Sequence, residues 1–322
     1  MSIDTGIKFL IPRLPLCKYS VIVLVFSYLC TSCAWVEEKP ATNMAAAREA
    51  KKERKELRDA IQKIEPFFKP MGKPGNSDWL ASHNEPGQTF EQYLDADPTK
   101  PTKERQTIYV LPLGTFTLKQ RKVIDATTGY LAAFYDLPVR QMAAKELKAL
   151  YPNFRQNRLT HSRQFKTGHI LKDVLIPILP ADAAALIAFT ADDLFPDESL
   201  NYVFGQASLE DRVGVWSLFR LDDNTNERGF VLRTLKVAVH ETGHMFSMRH
   251  CTKYECVMSG TNHLAETDSR PIDACPECMA KVCWLSDTDP GDRYRRLEAY
   301  CRTIKLEKEA AEFTRKERAL TR

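Results

Sequence analysis

The sequence lacks an apolar run long enough to cross a bilayer as one helix. Its longest, Tyr19 to Cys30, falls short of the ~20 residues a span requires. It also lacks a dominant sign of charge: 46 Lys and Arg against 42 Asp and Glu leave a formal net charge of +4, small for 322 residues. That balance makes no case for nucleic acid or an acidic lipid surface as the target. Most of the basic excess lies in the terminal segments. The hydrophobic share of 43% and charged share of 27% are ordinary, so the chain can bury a sizeable core in one or two domains.

The first residues differ in kind. Lys8, Arg13 and Lys18 precede the apolar run, whose length matches the core of a secretory signal. Leu29-Cys30-Thr31-Ser32-Cys33 then resembles a bacterial lipobox, with Cys33 as the lipidated residue, although Cys30 stands where leucine is usual. A plain membrane anchor or a leader without function are the alternatives. Residues 1–33 are thus read as a signal, lipoprotein-like or anchor segment. The chain is expected to be membrane-associated or exported, attached by this segment or by lipid on Cys33, with a cytoplasmic location as the alternative.

Residues 34–77 read as a charged helical spacer. Asn43 to Ile64 is rich in Ala, Lys, Arg and Glu at helical spacing and should be solvated, and Pro66, Pro70, Pro74 and Gly75 punctuate the chain after it. A polar stretch, 78–103, with Trp79, Phe90 and Tyr93 as anchors, is expected to wrap the surface. Next come a strand at 106–114, a helix at 119–135, a short strand at 137–142 and an amphipathic helix at 163–179. A buried strand at 184–190 leads to a loop bearing Asp192, Asp193 and Asp197, then to two strands within 201–221. This alternation implies an α/β layer, with a helix over 231–246 packed on the sheet through Val231, Leu232, Leu235, Val239 and Met245. The end of the chain, from Tyr294, is charged and helical. It is read as a solvated extension with no site, the last piece being 301–322.

Within the helix over 231–246 stands His240-Glu241-Thr242-Gly243-His244. Residues four apart lie one turn apart on the same face, so both imidazoles can reach one metal ion. His250 would be about 15 Å along the axis if the helix continued, too far for the same ion. A third ligand therefore requires the helix to stop soon after His244 and the chain to turn back. Glycine normally makes such a bend, because it tolerates positive φ; here the position holds Ser247. Glu241, beside the first ligand, is the candidate general base for a metal-activated water.

Cys251, Cys256, Cys275 and Cys278 follow, ending in a C-P-E-C knuckle, and four thiolates satisfy a closed tetrahedral structural zinc site. Adjacent side chains in an extended segment point to opposite sides, so His250 and Cys251 can serve different ions. Disulfides are the rival reading in an oxidising compartment. A nucleic-acid-binding finger is a further rival, weakened because no basic recognition helix accompanies the four cysteines. Cys283 and Cys301 read as buried thiols.

Taken together, HETGHMFSMRHC, CVM and CPEC resemble the archaemetzincins, a branch of the metzincin zinc metallopeptidases. DWLASHNEPGQTFEQYL, YVFGQASLEDRVGVWSLFR and MSGTNHLAETDSRP are similar to the animal-type members, so the likeness covers roughly residues 78–284. The resemblance implies an α+β metzincin-like fold: a twisted mixed sheet, an active-site helix and a smaller C-terminal zinc-bound subdomain, together spanning 78–300. It implies that Met258 forms an apolar floor beneath the zinc histidines. Ser247 departs from the family glycine, and Gly260 stands where other metzincins carry a tyrosine that touches zinc.

The expected function is a zinc metallopeptidase, aminopeptidase or endopeptidase, acting on peptide or protein substrates. His240, His244 and His250 would hold a catalytic zinc and the four cysteines a structural one, two Zn2+ per chain, with Glu241 as base. A non-catalytic two-zinc protein that binds peptides or partners is the alternative. His263 and Glu266 are expected either to line the lower wall of the cleft or to serve as hydrogen-bonded loop residues.

Overall fold

The structure is a computed structural model that describes residues 40–147, 154–157, 159–198, 201–208, 210–224 and 226–321. The leader, the apolar run and Cys33 lie outside the described residues. Among the described residues no helix is long and apolar enough to cross a membrane. The chain divides into a unit over Met1–Ala47 and a unit over Arg48–Arg322; the second holds the sheets, the cores and the site residues.

A five-stranded sheet carries the architecture. Its strands are β1 (Thr107–Leu113), β2 (Val139–Gln141), β5 (Ala183–Thr190), β7 (Gly205–Ala207) and β8 (Val213–Ser217), in the order β2-β1-β5-β8-β7. The β1–β2, β1–β5 and β5–β8 pairs are parallel, and β7 lies antiparallel on β8 at the edge. All eight residues of β5 are buried, as expected of a central strand covered on both faces. Its side chains alternate. Ala185, Ile187 and Phe189 join the larger core, while Leu186 and Ala188 join a smaller one on the other face.

The larger core is built against α4 (Leu118–Tyr135) and the long helix α6 (Glu227–Met245). Thr117 opens α4 with a reciprocal capping box to Gln120, and Asp136, in the left-handed region at φ 52, ends it. On the opposite face a helical stretch from α5 (Thr167–His169) continues as a wider turn through Ile170–Leu175 and a tighter one through Ile176–Ile178. A second sheet, β3 (Arg155–Gln156), β4 (Arg163–Lys166) and β6 (Asp193–Phe195), has the order β3-β4-β6.

Several expectations change here. Residues 163–166, read as the start of a helix, form β4, where Gln164 and Phe165 are buried and Gln164 donates to Asp193 at 2.8 Å. The supposed loop at Asp193 is β6, because Arg220 neutralises the buried Asp193 carboxylate through two bonds of 2.9 and 2.7 Å. The stretch 78–103 does not merely wrap the surface. It forms α2 (Trp79–Ser82) and α3 (Phe90–Asp95), and Phe90 and Tyr93 are core residues.

The helix α1 (Pro40–Ile64) does form, yet Leu57, Ala60 and Ile64 are buried, so it is solvated on one side only. The tail likewise folds back. Beyond α8 (Pro276–Ser286) it makes α9 (Pro290–Thr303) and α10 (Glu307–Leu320), which bury Tyr294, Leu297, Cys301, Ala310 and Phe313. Asp273, itself buried, accepts from Arg293 at 3.2 Å and Lys316 at 2.8 Å, one cation from each tail helix. Amphipathic charge patterning concealed both docked faces, because the buried stripe is narrow and the rest is Lys, Arg and Glu.

Candidate active site

Asn226 caps α6, its side chain accepting from Gly229 N at 3.0 Å, so the helix starts at Glu227, a turn before the expected position. His240 and His244 lie on one face, with their Nε2 atoms 3.0 Å apart. His250 completes a cluster in which one ring nitrogen from each histidine lies within 4.8 Å of the others.

The turn that returns His250 is a Schellman motif. Met248 N donates to Gly243 O at 3.0 Å and Ser247 N to His244 O at 2.9 Å, while Ser247 takes φ 64. A serine there costs on the order of 1 kcal/mol. The hydroxyl compensates, accepting from Thr99 N at 3.0 Å and contacting Thr99 Oγ1 at 3.2 Å. Three further bonds brace the same turn from the same upstream segment. Tyr93 OH donates to Phe246 O at 2.9 Å, Arg249 N donates to Gln88 Oε1 at 3.1 Å, and His250 Nδ1 lies 2.9 and 3.0 Å from the two oxygens of Glu85.

Each histidine is oriented through its other nitrogen. His240 Nδ1 donates to Val257 O at 2.9 Å, His244 Nδ1 to Met248 O at 2.6 Å, and His250 Nδ1 to Glu85. In His240 and His244 the Nε2 then presents a lone pair. Burial holds His240 well below the usual histidine range, and burial with the charge of His250 brings His244 down to about 4, so both are neutral near pH 7. Two lone pairs at 3.0 Å repel unless a cation lies between them, and three converging imidazoles are a donor set that suits zinc. The residues therefore fit a metal ion.

Beneath this cluster Met258 packs against the helix. A Cβ at Gly243 would stand 2.7 Å from Met258 Sδ, so any side chain there would force Met258 to shift. At the position where the resemblance points to a missing tyrosine, Gly260 makes room for something else. A Cβ there would stand 2.5 Å from Trp79 Cδ1. The Trp79 indole stacks on His83, ring centroids 3.7 Å apart, and meets His250 edge-on at 5.1 Å.

A cavity of about 560 Å³ opens over the histidines. Glu241 lines it, and burial pushes its carboxyl up to about 7. The chain from Asn201 to Ala207 forms the facing wall. Since β7 is the edge strand, its outer backbone groups face the side on which an extended peptide could pair.

Cys251, Cys256, Cys275 and Cys278 are buried, free and mutually within 4.8 Å at sulfur. The Cys251–Cys275 sulfurs are 3.5 Å apart, against about 2.05 Å for a disulfide. Met258 N and Cys275 N point at Cys256 Sγ, at 3.4 and 3.2 Å, as donors that favour a thiolate. Hydrogen bonds from the neighbouring thiols hold Cys251 far below the usual thiol range, while burial pushes Cys256 and Cys275 well above it. More than one thiolate in this space needs a cation, so this cluster also fits a metal. The two clusters share backbone: Cys251 N donates to Met258 O at 2.8 Å, and Val257, between Cys256 and Met258, accepts from His240.

The structure thus brings together His240, Glu241, His244 and His250 around one cavity and the four cysteines in a separate cluster. His263 and Glu266 do not line the cavity. His263 caps the short helix α7 (Leu264–Ser269), and Glu266 accepts from Trp79 N and Asn262 N. Glu85, Trp79, His83, Lys236 and Arg270 were missed. No spacing rule ties Glu85 to a partner 165 positions away, although it lies within a stretch that resembles the family. Lys236 could have been found, because it precedes His240 by one helical turn.

The model of Peptidase family M54 matches residues 173–283. Archaemetzincin-2 of Pongo abelii is 33% identical over 281 residues, covering 76% of this chain and 78% of that protein. Archaemetzincin-2 of Homo sapiens is 32% identical over 281 residues with the same coverage. The crystal structure of an archaemetzincin from Archaeoglobus fulgidus, complexed with malonate, aligns with a TM-score of 0.45 and 26% identity, over 54% of this chain and 99% of that one. By the extent of its identity with the archaemetzincin-2 proteins, the chain belongs to the archaemetzincins, a family of zinc metallopeptidases.

Proposed function

We propose that the chain hydrolyses peptide bonds with Glu241 as general base, His240, His244 and His250 holding one zinc ion and Cys251, Cys256, Cys275 and Cys278 a second. The observation that carries this reading is the convergence of one ring nitrogen from each of three histidines, all held by a bond at Nδ1, in the cavity that Glu241 also lines. When bound there, zinc lowers the pKa of a water ligand and polarises a carbonyl oxygen.

The chain's own groups do the rest. Glu241 is the carboxylate placed to take a proton from the attacking water and deliver it to the leaving amine. Its raised pKa reflects burial, and a dication held by the histidines would favour its ionised form. The edge strand β7 offers backbone partners to an extended substrate, and Met258, buried against Gly243, backs the helix that carries the histidines. The four-cysteine cluster has no opening for substrate, as its sulfurs are buried; its role is to fix the loop that orients His240.

Metal analysis and turnover test the reading together. Zinc-loaded protein should contain two zinc ions per chain and cleave members of a broad peptide library. Glu241→Ala should keep both ions and lose cleavage by at least about a hundredfold. Equal inertness of the two proteins, with both ions present, would refute the catalytic reading.

A further inference from the structure

One helical turn before His240, Lys236 lines the same cavity, and its side chain is almost completely buried. Its Nζ donates to Thr267 O at 2.9 Å and Asp268 O at 3.3 Å, which leaves one hydrogen uncommitted. Among the described residues no carboxylate lies within 4.0 Å of that nitrogen. The nearby acids are already taken. Asp268 is held by Arg233 through bonds of 2.8 and 2.7 Å. Glu266 accepts from Trp79 N, Asn262 N and Arg270.

Arg270, the other cation lining the cavity, is compensated by Glu266 at 3.3 Å and Glu255 at 4.0 Å. Glu241 is the sole acidic side chain among the described residues lining the cavity, and it belongs to the chemistry. Asp268 and Glu309 act on this ammonium only at a distance, and its hydrogen bonds go to carbonyls alone; an incoming carboxylate would complete the pair with a charge-assisted bond. On its far side Lys236 borders a second cavity of about 400 Å³, where Arg228, Lys69 and Lys316 already have Glu309, Glu255 and Asp273.

We propose that Lys236 is an anion-binding subsite of the cleft, and that the preferred substrates are peptides bearing a carboxylate beside the scissile bond. This rests on the peptidase reading and deepens it. One helical turn is about 5.4 Å and an extended peptide advances about 3.3 Å per residue, so the carboxylate belongs to a residue adjacent to the cleaved bond or one further on. It comes either from an Asp or Glu side chain or from the free C-terminus of a short substrate. A lysine serving only to cap the last carbonyls of α7 is the competing account.

Matched peptides test this, with Glu or Gln at each of three positions on either side of the cleaved bond and with free or amidated C-termini, on the zinc-loaded full chain. At one position Glu should exceed Gln in kcat/KM by about tenfold or more, or free C-termini should exceed amidated ones by that factor. Lys236→Gln should bring the ratio near one and Lys236→Arg should preserve most of it. A ratio within one preparation is independent of how much variant folds. Cleavage by wild type with no carboxylate preference, or a preference that survives Lys236→Gln, overturns the proposal and supports the capping account.

Absence of all cleavage would strike the peptidase reading instead. Polarisation binding of the same labelled peptides to zinc-loaded Glu241→Ala protein separates the two failures. The acidic peptide must bind about tenfold tighter, and lose that advantage with Lys236→Gln added, or the subsite is refuted irrespective of turnover.

Discussion

Removal of the Glu85 carboxylate tests whether that residue orients His250 as the proposed third zinc ligand. His250 Nδ1 lies 2.9 and 3.0 Å from the two Glu85 oxygens, and the pair is partly exposed, with 18% and 28% of the side-chain surfaces accessible. A fully buried hydrogen bond to a charged group contributes about 1.5–3 kcal/mol. Partial exposure and solvent screening reduce that to about 1–2 kcal/mol. Glu85 also fixes the tautomer that leaves Nε2 as the lone-pair nitrogen and makes the imidazole a stronger donor. Glu85→Ala should therefore weaken zinc at the histidine cluster by about tenfold, with Glu85→Gln intermediate. Competition with a graded series of chelators reads the affinity, and the four-cysteine cluster serves as internal reference. If the histidine-bound zinc stays within twofold of wild type, or both clusters weaken equally, the orienting role is wrong.

Further outcomes follow from other contacts. The metal-free protein carries a Glu241 carboxyl raised to about 7 from 4.5 by burial. A raised folded-state value means stability present at low pH and lost as pH rises from about 4.5 through 7, up to about 3 kcal/mol. Denaturant titrations of metal-free Glu241→Gln should thus show stabilisation at pH 8 and none at pH 4; equal shifts at both would contradict the assignment. Asp273→Ala leaves Arg293 and Lys316 buried without their anion and should cost about 3–5 kcal/mol in urea unfolding, whereas a loss under 1 kcal/mol would mean the tail helices dock without it. Ser247→Ala keeps the positive φ but deletes both contacts to Thr99, with an expected loss of about 1–2 kcal/mol; Ser247→Gly, which relieves φ while losing them, should stay within about 1 kcal/mol of wild type.

The sequence by itself determined what local geometry dictates. A four-residue spacing on a helix brings His240 and His244 to one face, the distance to His250 demands a turn near Ser247, and alternation along an extended segment sends His250 and Cys251 apart. Those statements depend on helix rise and strand pleat, which neighbours in sequence set. The core strands 107–113 and 183–190 were legible for the same reason, being apolar runs too short for helices. Charge-rich segments misled: the narrow apolar stripes of α1, α9 and α10 disappear among Lys, Arg and Glu. A stretch such as 163–166 pairs as β4 only because a distant strand accepts it. Tertiary structure alone decided that residues 79–99 brace the turn before His250, with Glu85 on His250, Thr99 on Ser247 and Trp79 filling the space above Gly260. It alone showed that β7 is the edge strand and that Lys236 lacks a carboxylate partner. These are relations across more than 30 residues of chain, where contact is fixed by packing and by the satisfaction of buried charge, and where no periodicity carries the information.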